Sequence, residues 1–175
     1  MRTFIALELP TDFAAETARL QGNLSTVLQA NYVPEKFLHL TLAFLGELET
    51  STQLAATQRA IELASSNFAP VSLHPERLGF FGDSSDATVW MGVSPTPALM
   101  NLAKSIRSEL STKGIAYEST PFKPHIALAR HANIRHASLQ GFEMPDTAHA
   151  TNVTIFKSEL SPAGSKYQPL HSVTL

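Results

Sequence analysis

The sequence contains no cysteine, so disulfide cross-links and thiolate metal sites are excluded. No apolar run approaches the roughly 20 residues that a membrane-crossing helix needs. The first residues also lack a basic stretch leading into a long apolar core, so nothing marks a signal peptide and cytoplasm is the expected compartment. Positive charge is not in excess: 13 Lys and Arg stand against 15 Asp and Glu, a net charge of −2. Proteins that coat nucleic acid by neutralising phosphates carry a basic stripe or a high pI, which leaves a small nucleotide or a single chain end as the possible nucleic-acid ligand. What the sequence does have is 175 residues, 43% of them hydrophobic. That suffices for one domain, or two small intimately packed lobes, that folds alone.

One stretch occurs twice. Phe37-Leu38-His39-Leu40-Thr41-Leu42-Ala43-Phe44-Leu45-Gly46 is echoed by Phe122-Lys123-Pro124-His125-Ile126-Ala127-Leu128-Ala129-Arg130. Strand side chains alternate between faces with a period of two. Leu40, Leu42 and Phe44 are therefore expected to enter a core, leaving His39 and Thr41 to face a groove. In the second copy Ile126 and Leu128 point inward, and His125 and Ala127 outward.

Each copy follows the same order of elements. Arg2 to Leu9 alternates as a strand ended by Pro10, and a helix capped by Thr11 or Asp12 follows, with Phe13, Thr17, Leu20, Leu24, Val27 and Leu28 at helical spacing. The second half has a strand over Thr88 to Val93, a helix from about Thr96 to Lys113 stopped by Gly114, and then the His125 strand. A packing helix from about Ser51 to Asn67, capped by Thr50 or Ser51, and a polar turn at Gly82-Asp83-Ser84-Ser85-Asp86 lie between. That turn divides the chain into approximate halves 1–85 and 86–175 of a single domain with interleaved lobes. Residues 131–149 read as a surface loop, and Asn152 to Leu160 and Tyr167 to Leu175 as two final strands joined through a turn.

Two groove-facing histidines suit in-line displacement at phosphorus, where an attacking oxygen loses a proton on one side and a leaving oxygen gains one on the other. A hydroxyl two residues after the histidine shares its face and can bind the non-bridging phosphate oxygens. Thr41 meets that description.

These elements, His39-Leu40-Thr41-Leu42 with Ala43-Phe44-Leu45-Gly46, paired with Pro124-His125-Ile126-Ala127-Leu128-Ala129-Arg130, resemble the 2H phosphoesterase superfamily. The closest resemblance is to its bacterial RNA 2',3'-cyclic phosphodiesterase branch, also called 2'-5' RNA ligase. The resemblance implies a bilobal α+β fold, in which antiparallel-rich sheets form a central cleft with helices outside. It implies metal-independent, cofactor-free hydrolysis of a 2',3'-cyclic phosphate at an RNA or nucleotide end to a 2'-phosphate. His39 then corresponds to the donor of a proton to the departing 3' oxygen, and His125 to the base that activates water.

The sequence departs from the family pattern at Ala127, where the second motif has Thr or Ser. That deletes one hydroxyl donor to phosphate. Arg130, ending the strand where related enzymes carry arginine, is the expected phosphate clamp, although strict alternation puts it on the face opposite His125 unless the strand bulges or stops by Ala129. The other histidines, His74, His131, His136, His149 and His171, are expected at the surface, and no metal site is expected at His131 and His136. Phe44 is expected in the core, and Trp90, Tyr167 and Phe122 in buried packing. A 2'-5' ligase running the step backwards and a non-catalytic binder of nucleotides or RNA ends are the alternative functions; a monomer is the default state.

Overall fold

The computed structural model describes residues 1–175. In chain order the strands are β1 (Arg2–Glu8), β2 (Asn31–Tyr32), β3 (His39–Glu47), β4 (Val71–Leu73), β5 (Pro75–Phe81), β6 (Ala87–Val93), β7 (His125–Ala132), β8 (Ala148–Ala150), β9 (Asn152–Ser161) and β10 (Gly164–Thr174). The helices are α1 (Thr11–Ser25), α2 (Ser51–Ser65) and α3 (Pro97–Thr112). The architecture is α+β. One antiparallel sheet runs β10-β9-β1-β3 and a second runs β2-β7-β6-β5, with β4 and β8 forming a separate pair. Each four-stranded sheet therefore takes strands from both halves of the chain. No helix is long and apolar enough to cross a membrane.

Local sequence explains how the helices start and stop. Thr50 caps α2 by accepting from the Gln53 amide, and the Gln53 side chain returns a bond to the Thr50 amide, a reciprocal capping box. Thr96 caps α3, with Pro97 in the first turn where its missing N–H costs nothing. Gly114, at φ +67°, ends α3, and the Ile115 amide bonds back to the Leu110 carbonyl at 2.9 Å. The start of α1 departs from expectation. Pro10 precedes the helix, no side chain caps it, and Thr11 is already helical. This helix also ends at Ser25, because the Thr26 hydroxyl takes the Asn23 carbonyl at 2.7 Å; Leu28, beyond the end, is nonetheless buried.

Leu40, Leu42, Ile126 and Leu128 are fully buried, as alternation requires. Each contributes about 1.5–3 kcal/mol of apolar burial. Alternation then breaks at the same place in both copies. Ile5 pairs with Ala43 while Ala6 pairs with Thr41, so Leu42 is an extra residue in β3. Val89 pairs with Ala129 while Trp90 pairs with Ala127, so Leu128 is an extra residue in β7. Leu42 and Ala43 are both buried, as are Leu128 and Ala129.

The consequence is that the fifth residue after each histidine returns to the histidine's face. Phe44 is accordingly 47% exposed, not in the core, and its ring centroid lies 6.2 Å from that of Phe4. Arg130 is likewise exposed. A helix residue supports each bulge: Gln21 of α1 donates Nε2–H to the Leu128 carbonyl at 2.9 Å, and Arg107 of α3 donates Nε–H to the Leu42 carbonyl at 3.1 Å. Each donor is the eleventh residue of its helix.

Candidate active site

His39 opens β3. Its Nδ1–H donates to the Phe37 carbonyl at 2.8 Å, which leaves Nε2 as the lone-pair atom, 3.0 Å from the Thr41 hydroxyl. The single 3-10 turn Glu35–Phe37 immediately before the strand supplies that carbonyl. Aromatic side chains from three other strands enclose the ring. Phe4 of β1 lies 4.8 Å away by centroid, Tyr167 of β10 meets it edge-on at 5.2 Å, and Phe156 of β9 is at 6.5 Å. Burial pushes the imidazole pKa down to about 4, and the Arg130 and His125 charges add to the lowering; the bond to the Phe37 carbonyl opposes it. Arg130 and His125 are thus both within electrostatic reach of His39.

His125 opens β7 in the same manner. Its Nδ1–H donates to the Lys123 carbonyl at 2.7 Å, again two residues upstream, and its Nε2 has no partner within the protein. Phe81 meets this ring edge-on at 5.1 Å and Trp90 lies 6.2 Å away. The indole rests against two glycines. A Cβ at Gly79 would sit 2.3 Å from the Trp90 ring, and one at Gly92 would sit 3.3 Å from it. Only glycine at 79 lets the indole lie across the sheet at this height, where it flanks His125.

His39 and Thr41 stand on β3 and His125 and Arg130 on β7, strands that contact one another. Thr41 touches His39, and the bulge returns Arg130 to the His125 face, from which its charge acts on His39. Ala127 lies on the His125 side, opposite Trp90 in the ladder, and offers no hydroxyl. Trp90 and Tyr167 are partly exposed and touch the histidines, whereas Phe122 packs under the Arg107 guanidinium, 5.5 Å from its ring centre. Sequence reasoning missed Phe4, Phe81 and Phe156, which reach the histidines from strands far away in the chain. Their only signal is aromatic character within a strand.

A pocket of about 720 Å³ adjoins His39 and is walled by Phe4, Phe37, Phe156 and Tyr167, with Glu8 and Lys36 among its polar lining. His74, His131, His136 and His149 are exposed, and His171 is half-buried. No group of three His, Asp or Glu residues is placed to hold a metal ion. Chemically, the site offers two imidazoles with Nδ1 anchored, the Nε2 of His39 bonded to the Thr41 hydroxyl and that of His125 unpaired, and one guanidinium. These are two proton-transfer groups with two groups able to bind an anion.

Known proteins resemble this chain in sequence and in fold. The family model described as the 2'-5' RNA ligase superfamily matches residues 9–154. The chain is 29% identical to an RNA 2',3'-cyclic phosphodiesterase of Thermotoga maritima over 98% of this chain and 94% of that protein. It is 30% identical to one of Thermus thermophilus over 100% and 90%. The crystal structure of Escherichia coli LigT complexed with 3'-AMP superposes with a TM-score of 0.82 at 26% identity, covering 99% of this chain and 97% of that one.

Proposed function

This chain belongs to the 2'-5' RNA ligase superfamily, and from that premise we propose that it hydrolyses the 2',3'-cyclic phosphodiester of an RNA or nucleotide end to a 2'-phosphomonoester. The observation that carries the reading is the matched anchoring of the two imidazoles. Each gives Nδ1–H to a carbonyl two residues upstream, which leaves Nε2 as the proton-transfer atom; at His39 the substrate takes the place of the Thr41 hydroxyl on it. The curated relatives from Thermotoga and Thermus carry the corresponding activity in their names.

In this mechanism the cyclic phosphate binds between β3 and β7, with Thr41 and Arg130 on its non-bridging oxygens. His125 Nε2 takes a proton from water as the water oxygen attacks phosphorus. The bond from phosphorus to the 3' oxygen breaks, and His39 Nε2–H protonates that oxygen. Product release then requires the proton on His125 to return to His39 or exchange with solvent. Every proton moves through an imidazole, and no metal enters a step.

His39 is neutral at pH 7 in the empty site, since its pKa is held near 4. The donor must therefore gain its proton with the substrate. An anionic phosphate beside it offsets the Arg130 charge and favours the imidazolium. A deficit of one hydroxyl at Ala127 slows the step without abolishing it, because Arg130 supplies charged donors to the same oxygens.

The test is turnover of nucleoside 2',3'-cyclic phosphates in EDTA, with separation of the 2'- and 3'-monophosphates. Metal-independent formation of the 2'-phosphate, lost in both His39→Ala and His125→Ala, is the expected result. A 3'-phosphate product would overturn the donor assignment. Binding of 2'-phosphorylated nucleotides with no turnover from pH 5 to pH 9 would replace the enzyme with a binding protein.

A further inference from the structure

The pocket beside His39 lies on one side of the reaction only. In the proposed hydrolysis the leaving 3' oxygen belongs to the ribose, and it must come within hydrogen-bond reach of His39. The ribose and its base consequently sit toward His39, while water occupies the His125 side. The space available there is the pocket of about 720 Å³, of the size that holds a nucleoside.

The walls of this pocket have a definite polarity. Phe4, Phe37, Phe156 and Tyr167 present flat apolar surface suited to a base ring. Glu8, the ladder partner of His39, places its carboxylate on the same face and accepts from the buried Thr154 hydroxyl, which also bonds Ser172 at 2.9 Å. Thr154 is fully buried, so this chain of hydroxyls fixes the carboxylate. Only one Glu8 oxygen is taken. The exposed Lys36 ammonium lies over the Phe37 ring, 5.0 Å from its centre, at the pocket rim.

We propose that this pocket is a base-recognition subsite selective for guanine, with Glu8 as the specificity-determining residue. A carboxylate is acceptor-only and matches two parallel N–H groups. Guanine offers that pair, at N1 and N2, on one edge, with the O6 acceptor beside them for Lys36. Uracil offers a single ring N–H between two carbonyls, and adenine offers no ring N–H at all. The proposal rests on the hydrolase reading only for the side on which the ribose lies.

Equilibrium binding of 2'-GMP and 2'-UMP, measured by calorimetry, tests the subsite without any turnover. The full chain should bind 2'-GMP at least about tenfold more tightly. Glu8→Gln keeps an acceptor for Thr154 but loses the carboxylate, and should bring that ratio to within about threefold. Lys36→Met, at the exposed rim, should lower the ratio while leaving the Thr154 contact alone. Equal affinity in the unmodified protein, or a ratio unmoved in both variants, would overturn the assignment. Parallel turnover of guanosine and uridine 2',3'-cyclic phosphates separates the two ideas. A guanine preference in binding with no hydrolysis leaves the subsite and removes the enzyme, and hydrolysis with no base preference does the reverse.

Discussion

Phe44 and Arg130 occupy the same position in the two copies, five residues beyond His39 and His125, and an extra residue three places after each histidine turns both onto the histidine's face. The same device thus delivers an aromatic ring to one wall and a guanidinium to the other. Donors from the helices, Arg107 for Leu42 and Gln21 for Leu128, hold the bulged carbonyls.

Gln21 should accordingly be a positioning residue for Arg130. Its amide serves the Val33 and Leu128 carbonyls at once, at 2.8 and 2.9 Å, and it is 7% exposed. Gln21→Leu removes the side-chain donor of the Val33 carbonyl and leaves the Leu128 carbonyl with the Val33 N–H alone, and should cost about 1–3 kcal/mol in denaturant unfolding. If the bulge matters for the site, kcat/KM should fall as well, and a Gln21→Glu variant should not recover it, since a carboxylate cannot donate. Full activity in Gln21→Leu would show that the bulge needs no such support.

Arg130→Gln should have two separable effects. Loss of the charged clamp should lower kcat/KM roughly 10²-fold. Because the Arg130 charge helps depress the His39 pKa, the same change should raise it toward the ordinary histidine range, readable from the imidazole proton shifts in an NMR titration. A slower enzyme with an unmoved His39 titration would place the guanidinium farther from His39 than the fold implies.

Much of this site was legible in the sequence, and the reasons for the remainder are physical. His39, Thr41, His125 and the apolar residues between them follow from strand periodicity, and the Thr50 cap from side-chain chemistry. Phe44 was misplaced, and Arg130 reached the histidine's face only on condition of a bulge, for one reason. A bulge is decided by the partner strand's register, and no residue within Leu40-Thr41-Leu42 or Ile126-Ala127-Leu128 announces it. Phe4, Phe81 and Phe156 reach the histidines from β1, β5 and β9, so their role exists only once distant strands pair. The end of α1 at Ser25 depended on a Thr26 hydroxyl competing for a backbone carbonyl, a contest that helical spacing through Leu28 does not reveal.

Thr41 and Ala127 form a natural pair of reciprocal variants. Thr41→Val keeps the shape and deletes the hydroxyl, and should lower kcat roughly 10²- to 10³-fold if Thr41 binds the phosphate. Ala127→Thr restores the hydroxyl on the other strand. Trp90, its ladder neighbour, lies across Gly79 on β5, and with the second hydroxyl in place turnover should rise about tenfold. Unchanged turnover in Ala127→Thr would mean that Arg130 already fills the role.

Stability should depend on pH through His39. Its pKa is about 4 in the folded protein and near 6.5 in an unfolded chain. Between these values the unfolded state binds the proton more readily, so stability is fully present above about pH 6.5 and is lost as pH falls toward 4. From pH 7 to pH 5 the loss through this one group should be about 2 kcal/mol. His39→Gln removes the titration, and its urea-unfolding free energy should be flatter over that interval by the same amount. A phosphate-bearing ligand such as 2'-GMP should oppose the effect in the unmodified protein, since an anion beside the imidazole favours its charged form. If the unmodified protein and His39→Gln lose stability in parallel between pH 7 and pH 5, the ring is better solvated than its enclosure by Phe4, Phe156 and Tyr167 implies, and the need for substrate to load the proton disappears with it.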